Sequence, residues 1–181
     1  MVYLMLADGF EEVEALTVVD LLRRADIDVM MTSITGERLV HGTHGVNVEA
    51  DMLFNPAVMK DIDAVVLPGG MPGAANLDAD EQLAALLKDA AAKGAAVAAI
   101  CAAPMILGHH GLLEGKKATI YSGMEGELYG AEHADGTVVI DGNIITSMGP
   151  GTAMDFGLAL IAYLKDEKTS AKVRADLLYR G

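Results

Sequence analysis

Apolar residues recur along the chain in two rhythms. Unbroken apolar runs at 2–7 (VYLMLA), 63–67 (DAVVL, after its Asp) and 95–100 (AAVAAI) predict strands buried on both faces. The first run stops at Asp8-Gly9 and the second at Pro68-Gly69-Gly70, both turn-forming sequences. Residues 28–34 predict another strand, and 46–49 a lesser one after the turn-rich His41-Gly42-Thr43-His44-Gly45. The second rhythm is helical. Val13, Leu16, Val19, Leu21 and Leu22, set among charges, predict an amphipathic helix over 11–25, with Glu11, Glu12 and Glu14 in its first turn. Acids there complement the helix dipole. Further helices are predicted over 80–93 (closed by Gly94), 102–109 (stopped by Gly111), 152–164 and 170–178. Strands are predicted at 119–121, 137–140 and 143–146, the last two joined by the hairpin signal Asp141-Gly142.

Buried strands alternating with helices imply a parallel sheet covered on both faces. No repeat, low-complexity tract or linker interrupts residues 1–181, so one α/β domain is expected. In such sheets ligands bind beyond the carboxyl ends of the strands. Three segments should converge there: Asp8-Gly9 with the helix start after it, Leu67 to Gly70, and Ile100-Cys101.

Composition narrows the function. The chain is 52% apolar but only 4% aromatic, without tryptophan and rich in Ala and Gly, which suits helices packed close on a sheet; eleven Met suit gap-filling. A net charge of -13, with Arg23-Arg24 and Lys116-Lys117 as isolated basic pairs, argues against nucleic acid and anionic membrane surfaces as partners. One cysteine cannot form an intramolecular disulfide. The N-terminus lacks the basic segment of a signal peptide. The longest apolar stretch, 94–108, is broken by Pro104 and too short to span a bilayer. A cytoplasmic protein is expected.

Cys101 stands where a strand is predicted to turn sharply into a helix. Such an elbow exposes its side chain above the sheet, near helix N–H groups that favour thiolate by roughly 0.3 to 2 kcal/mol. Thiolate is the reactive form. Ala99, Ala102 and Ala103 are small enough for a crowded elbow, and Pro104 is tolerated in a first helical turn. The competing reading is a buried structural cysteine. A nucleophile also needs oxyanion donors and a proton partner. Gly69-Gly70 and Ala102 can offer backbone N–H groups. Any of Glu11, Glu12 and Glu14 is a candidate acid, though the residues alone favour reading each as a solvated dipole partner. None of the five histidines (His41, His44, His109, His110, His133) forms a triad pattern, and no metal-ligand spacing appears.

Four ordered segments, ADGFEEVEALTVVDLLRRA, VVLPGGMPGAANL, VAAICAAP and TSMGPGTAMDFGLAL, resemble the DJ-1 subgroup of the DJ-1/ThiJ/PfpI superfamily over nearly the whole chain. The resemblance implies a flavodoxin-like α/β sandwich and a homodimer, with no cofactor or metal. It places the nucleophile on Cys101 and a protonated acid facing its sulfur on Glu14, so selecting one glutamate of three. A neutral donor stabilises a thiolate that a carboxylate would repel. It places backbone donors on Gly70 and Ala102, and brings Gly69, Tyr121 and Pro150 to the pocket. Val13, Leu16 and Arg24 match the helix used at the dimer contact. Ala102 replaces the histidine that follows the cysteine in the protease-like branch, which disfavours an amidase or peptidase. Tyr121 stands where some relatives carry histidine, His44 where they carry arginine, and Met148 where the rim is often polar.

The function so implied is a glutathione-independent glyoxalase of the lyase type, converting methylglyoxal to lactate, or a related deglycase hydrolase acting on glycated groups. The alternative is an oxidative-stress sensor in which Cys101 climbs to sulfinate, there being no second cysteine to resolve it. A non-enzymatic binding module ranks third. Thiazole biosynthesis lacks a supporting phosphate motif, since Gly149-Pro150-Gly151 has the wrong spacing.

Overall fold

The computed structural model describes residues 1–180. In chain order its elements are β1 (Val2–Leu6), α1 (Glu12–Arg24), β2 (Val29–Ser33), β3 (Leu39–His41), β4 (Asn47–Glu49), β5 (Met52–Leu53), β6 (Ala64–Leu67), α2 (Gly73–Asp78), α3 (Glu81–Ala92), β7 (Ala96–Ile100), α4 (Pro104–His109), β8 (Lys117–Ala118), β9 (Glu132–His133), β10 (Val138–Asp141), β11 (Ile144–Ser147), α5 (Ala153–Leu164) and α6 (Glu167–Asp176). Short 3-10 turns occupy Pro56–Val58, Glu125–Glu127 and Pro150–Thr152.

Seven strands form one sheet in the order β10-β11-β7-β6-β1-β2-β5. All neighbours run parallel except β10, which meets β11 as a hairpin. The unbroken apolar runs have the expected consequence. In β1, Leu4 and Leu6 point into a core completed by α1 and α5, while Tyr3 and Met5 point into one completed by α3 and α4. Strand alternation therefore feeds two cores from one five-residue run. Small residues set the spacing: a Cβ on Gly157 of α5 would overlap Leu21 of α1. Among the described residues, no helix is long and apolar enough to cross a membrane.

The helix starts follow from local chemistry. Asp80 caps α3 by accepting from the N–H groups of Gln82 and Leu83, both at 2.9 Å, and Asp166 caps α6 by accepting from Thr169 N–H at 2.7 Å. That second cap moves the last helix upstream of the predicted 170–178. Glu11 lies outside the first turn of α1, as its N-cap, accepting from Glu14 N–H at 2.8 Å.

The predicted strand at 119–121 is absent. Strand pairing stops at Ala118, in a separate two-stranded ribbon of β8 with β9. Beyond it Thr119 N–H donates to the Thr146 side chain at 2.9 Å, and Tyr121 N–H to the Cys101 carbonyl at 2.9 Å. These bonds carry the segment across the end of the sheet rather than along it. Residues 46–49 contribute β4, which pairs with β3 off the main sheet. Helix 102–109 begins later than expected, at Pro104, because residues 101–103 form the elbow turn.

Candidate active site

Cys101 follows the last residue of β7 and adopts φ +64°, a left-handed conformation that costs a non-glycine residue about 1–2 kcal/mol. Its backbone is held on both flanks. Its N–H donates to Ser147 of β11 at 3.0 Å, and its carbonyl accepts from Tyr121. The side chain is buried, yet it turns out over the carboxyl ends of the strands, toward the start of α1.

Glu14 meets it from the first turn of α1. The residue is completely buried. Its Oε2 accepts from Gly69 N–H at 2.7 Å, while Oε1 has no hydrogen-bond partner. The oxygen without a backbone donor is the natural seat for a proton. The carboxyl and the thiol face each other. Gly69 lies between them: a Cβ there would sit 2.6 Å from Cys101 Cβ and 2.8 Å from Glu14 Oε2, so no side chain fits. The loop is closed by Glu11 N–H donating to the Gly69 carbonyl at 2.9 Å and by Gly70 at φ +86°. The backbone N–H groups of Gly70 and Ala102 face the sulfur.

Burial first, and then the neighbouring Glu11 charge, pushes Glu14 up to about 7, against hydrogen bonds that favour its anion. Burial, then the Glu14 charge and hydrogen bond, push the Cys101 thiol up to about 12, against the Gly70 and Ala102 N–H groups. The expected thiolate preference is therefore overturned for the resting site. The helix after the elbow has only six residues and starts three positions away, and desolvation outweighs its dipole. A buried thiol thus faces a carboxyl whose affinity for protons is matched to neutral pH.

Cys101, Glu14, Gly69, Gly70 and Ala102 come together. Tyr121 and Pro150 lie to one side, in a recess of about 270 Å³ lined also by Ser122, Met148, Gly149, Gly151 and Thr152. Tyr121 reaches the cysteine through its backbone only; its ring is half exposed beside Gly149. No histidine bonds to Cys101 or Glu14 among the described residues. His44 instead pairs with Glu12, Nδ1 lying 2.9 Å from Oε2. Glu11, Glu12 and His44 place one potential ligand atom each within 4.8 Å of one another. Sequence spacing could not show this cluster, because the loop after β3 returns His44 to α1 from some thirty residues away. Gly69 as a spacer was equally invisible, since a double glycine reads as a turn.

A family model described as the DJ-1/PfpI family matches residues 1–163. Protein DJ-1 homolog B of Arabidopsis thaliana is 40% identical over 157 residues, which cover 86% of this chain but 36% of that protein, so the chain spans about a third of the plant relative. A Pyrococcus abyssi (strain GE5 / Orsay) protein named as a deglycase is 33% identical over 153 residues, covering 83% of this chain and 90% of its own length. Among solved structures, oxidized Toxoplasma gondii DJ-1 superposes with a TM-score of 0.95 at 37% identity, covering 99% of this chain and 98% of that one.

Proposed function

The chain belongs to the DJ-1/PfpI family, and from that premise we propose that it is a cysteine-dependent enzyme acting on small reactive carbonyl compounds, as a glutathione-independent glyoxalase or a related deglycase. The observation that carries this reading is the fully buried Glu14 carboxyl, poised at about 7 and facing a thiol on a strained elbow. A structural cysteine needs no such partner.

With methylglyoxal, the sulfur forms a bond to the aldehyde carbon. The carbonyl π electrons move onto oxygen, which the N–H groups of Gly70 and Ala102 receive. The thiol proton passes to Glu14, whose affinity suits a general base near neutral pH, and Glu14 returns it to the alkoxide. The product is a hemithioacetal. Glu14, again ionised, takes the remaining hydrogen of that carbon as a proton; the C–H electrons form a carbon–carbon double bond and the neighbouring carbonyl π electrons move onto its oxygen, which takes the proton of the first carbon's hydroxyl. The electrons left on that first oxygen re-form a carbonyl as the double bond takes the proton from Glu14 at the adjacent carbon, leaving a thioester of lactate. Water cleaves the thioester, releasing lactate and restoring the thiol. The net change is addition of one water, so no redox cofactor is required. The exposed α1 residues Val13 and Leu16 support a second proposal, a homodimer joined through that face.

Lactate formation in glutathione-free buffer tests the enzyme directly. Wild type should form lactate from methylglyoxal and Cys101→Ser should not. Aldehyde consumption without lactate would mean simple trapping by the thiol and would overturn the reading. Oxidation sensing is the second reading, favoured by the similarity to an oxidized DJ-1 structure and by the absence of a resolving cysteine. It predicts that mild peroxide adds two oxygens at Cys101, as read by mass spectrometry.

A further inference from the structure

Away from the Cys101 site, His109 is held between two acids. Its Nδ1 lies 2.8 Å from Asp78 Oδ2 and its Nε2 lies 2.9 Å from Glu127 Oε2. A neutral imidazole has one N–H and one lone pair, so it satisfies only one carboxylate; two require the imidazolium. The titratable groups around the ring come from each element packed on it. Asp78 ends α2, Glu127 ends the 3-10 turn, and His110 follows on the same chain, its Nε2 3.1 Å from both the Asp78 carbonyl and Oδ1. The Tyr129 ring lies against His109 with centroids 4.9 Å apart.

The placement of this cluster gives it leverage. Helices α2 and α4 have six residues each, too few to be stable alone, and neither has a side-chain N-cap. Helix α2 grows out of the Gly69-Gly70 loop, with Ala74 N–H bonded to the Gly70 carbonyl at 2.8 Å. Helix α4 grows out of the Cys101 elbow. The near ends of the two helices carry the two halves of the site, and their far ends meet at Asp78 and His109.

We propose that His109 is a positioning residue: clasped between Asp78 and Glu127, its imidazolium locks the helix behind the Cys101 elbow to the helix behind the Gly70 loop, holding the Gly70 N–H against the sulfur. This rests on the reading above only in taking Cys101 as the reacting atom. Burial works against the charge on His109, but the Glu127 and Asp78 hydrogen bonds outweigh it and hold its pKa above the ordinary histidine value. The clasp is therefore complete below about pH 6.5 and is lost as pH rises through the raised value. Above that, one carboxylate faces a lone pair.

The test is the rate of Cys101 alkylation by iodoacetamide from about pH 6 to about pH 9, across the histidine range. Alkylation does not depend on carbonyl turnover, so failure of the proposed activity and failure of the clasp are read separately. His109→Arg supplies a cation that does not titrate and can reach both carboxylates. The ratio of wild-type to Arg-variant rates cancels the titration of Glu14. It should be near one at the acid end and fall about threefold to tenfold at the alkaline end, as loss of one hydrogen bond to the thiolate implies. His109→Gln should be slower than wild type at the acid end. A flat ratio, or a Gln variant as reactive as wild type, would overturn the proposal. Should the Arg variant fail to melt cooperatively, Glu127→Gln replaces it. A glutamine amide can donate to the lone pair of the neutral ring, so the alkaline fall must shrink or vanish in this variant, and an unchanged profile would equally sink the idea.

Discussion

Along α3, Asp80 caps the first turn, Leu83, Leu86, Leu87 and Ala90 are buried in one stripe, and Gly94 turns the chain at φ +86°. A few residues later, at the other end of β7, a non-glycine residue sits at φ +64°, a buried carboxyl leaves one oxygen unpartnered, and α4 starts without a side-chain cap. Both regions pack on the same strand. In the first, every local preference agrees with the fold; in the second, several are violated within a few ångströms. Violations gathered at one point are what a site that trades stability for chemistry would leave, and they support the proposed function.

Substitutions in the two regions should therefore differ in sign. Leu87→Ala empties a fully buried position and should cost about 2–5 kcal/mol in denaturant unfolding, with the pH profile of Cys101 alkylation unchanged. Glu14→Gln should do the reverse. The folded-state value of Glu14 is raised, so its favourable contribution is present below about pH 4.5 and lost as pH rises through about 7. Removing the charge should stabilise the protein by up to about 3 kcal/mol above neutral pH and flatten its melting temperature between those limits, while lactate formation falls about a hundredfold or more. Asp80→Ala removes a cap and should cost about 1 kcal/mol by thermal melting. Cys101→Gly relieves the left-handed backbone and should raise stability by an amount no larger than that, about 1 kcal/mol, with loss of all proposed activity. Equal signs in the two regions would remove the distinction.

The same contrast governs what could be read from the residues. β1, β6 and β7 were legible because a strand buried on both faces must be apolar throughout, and α3 because its period and cap agree. α2 was missed: GAANLD is too short to show a period and has no capping side chain. The segment 119–121 is apolar enough for a strand, but its N–H groups go to a threonine side chain and to Cys101, partners that only the folded chain supplies. At the candidate site, the place of Cys101 on a strand-to-helix elbow is legible from the residues alone. Choosing Glu14 among Glu11, Glu12 and Glu14 needed the family resemblance, since all three suit a helix start. Folded, the three separate: Glu11 caps α1, Glu12 is held below the usual carboxylate range by the His44 bond despite its burial, and Glu14 alone is driven up to about 7. The residue pattern points the thiol shift the wrong way, because it suggests a helix dipole but cannot show how much water the fold excludes.

The backbone of Cys101, tied to Ser147 on one side and Tyr121 on the other, is clamped like a beam at both ends. A group growing on its sulfur has to displace neighbouring side chains rather than main chain. On the proposed function, discrimination among electrophiles by size would fall to side chains, and those of the recess beside the elbow, Tyr121 and Met148 among them, can change without disturbing the sheet beneath. On that function, a lineage built on this scaffold would broaden or narrow its diet one side chain at a time while the proposed reactive centre stays fixed.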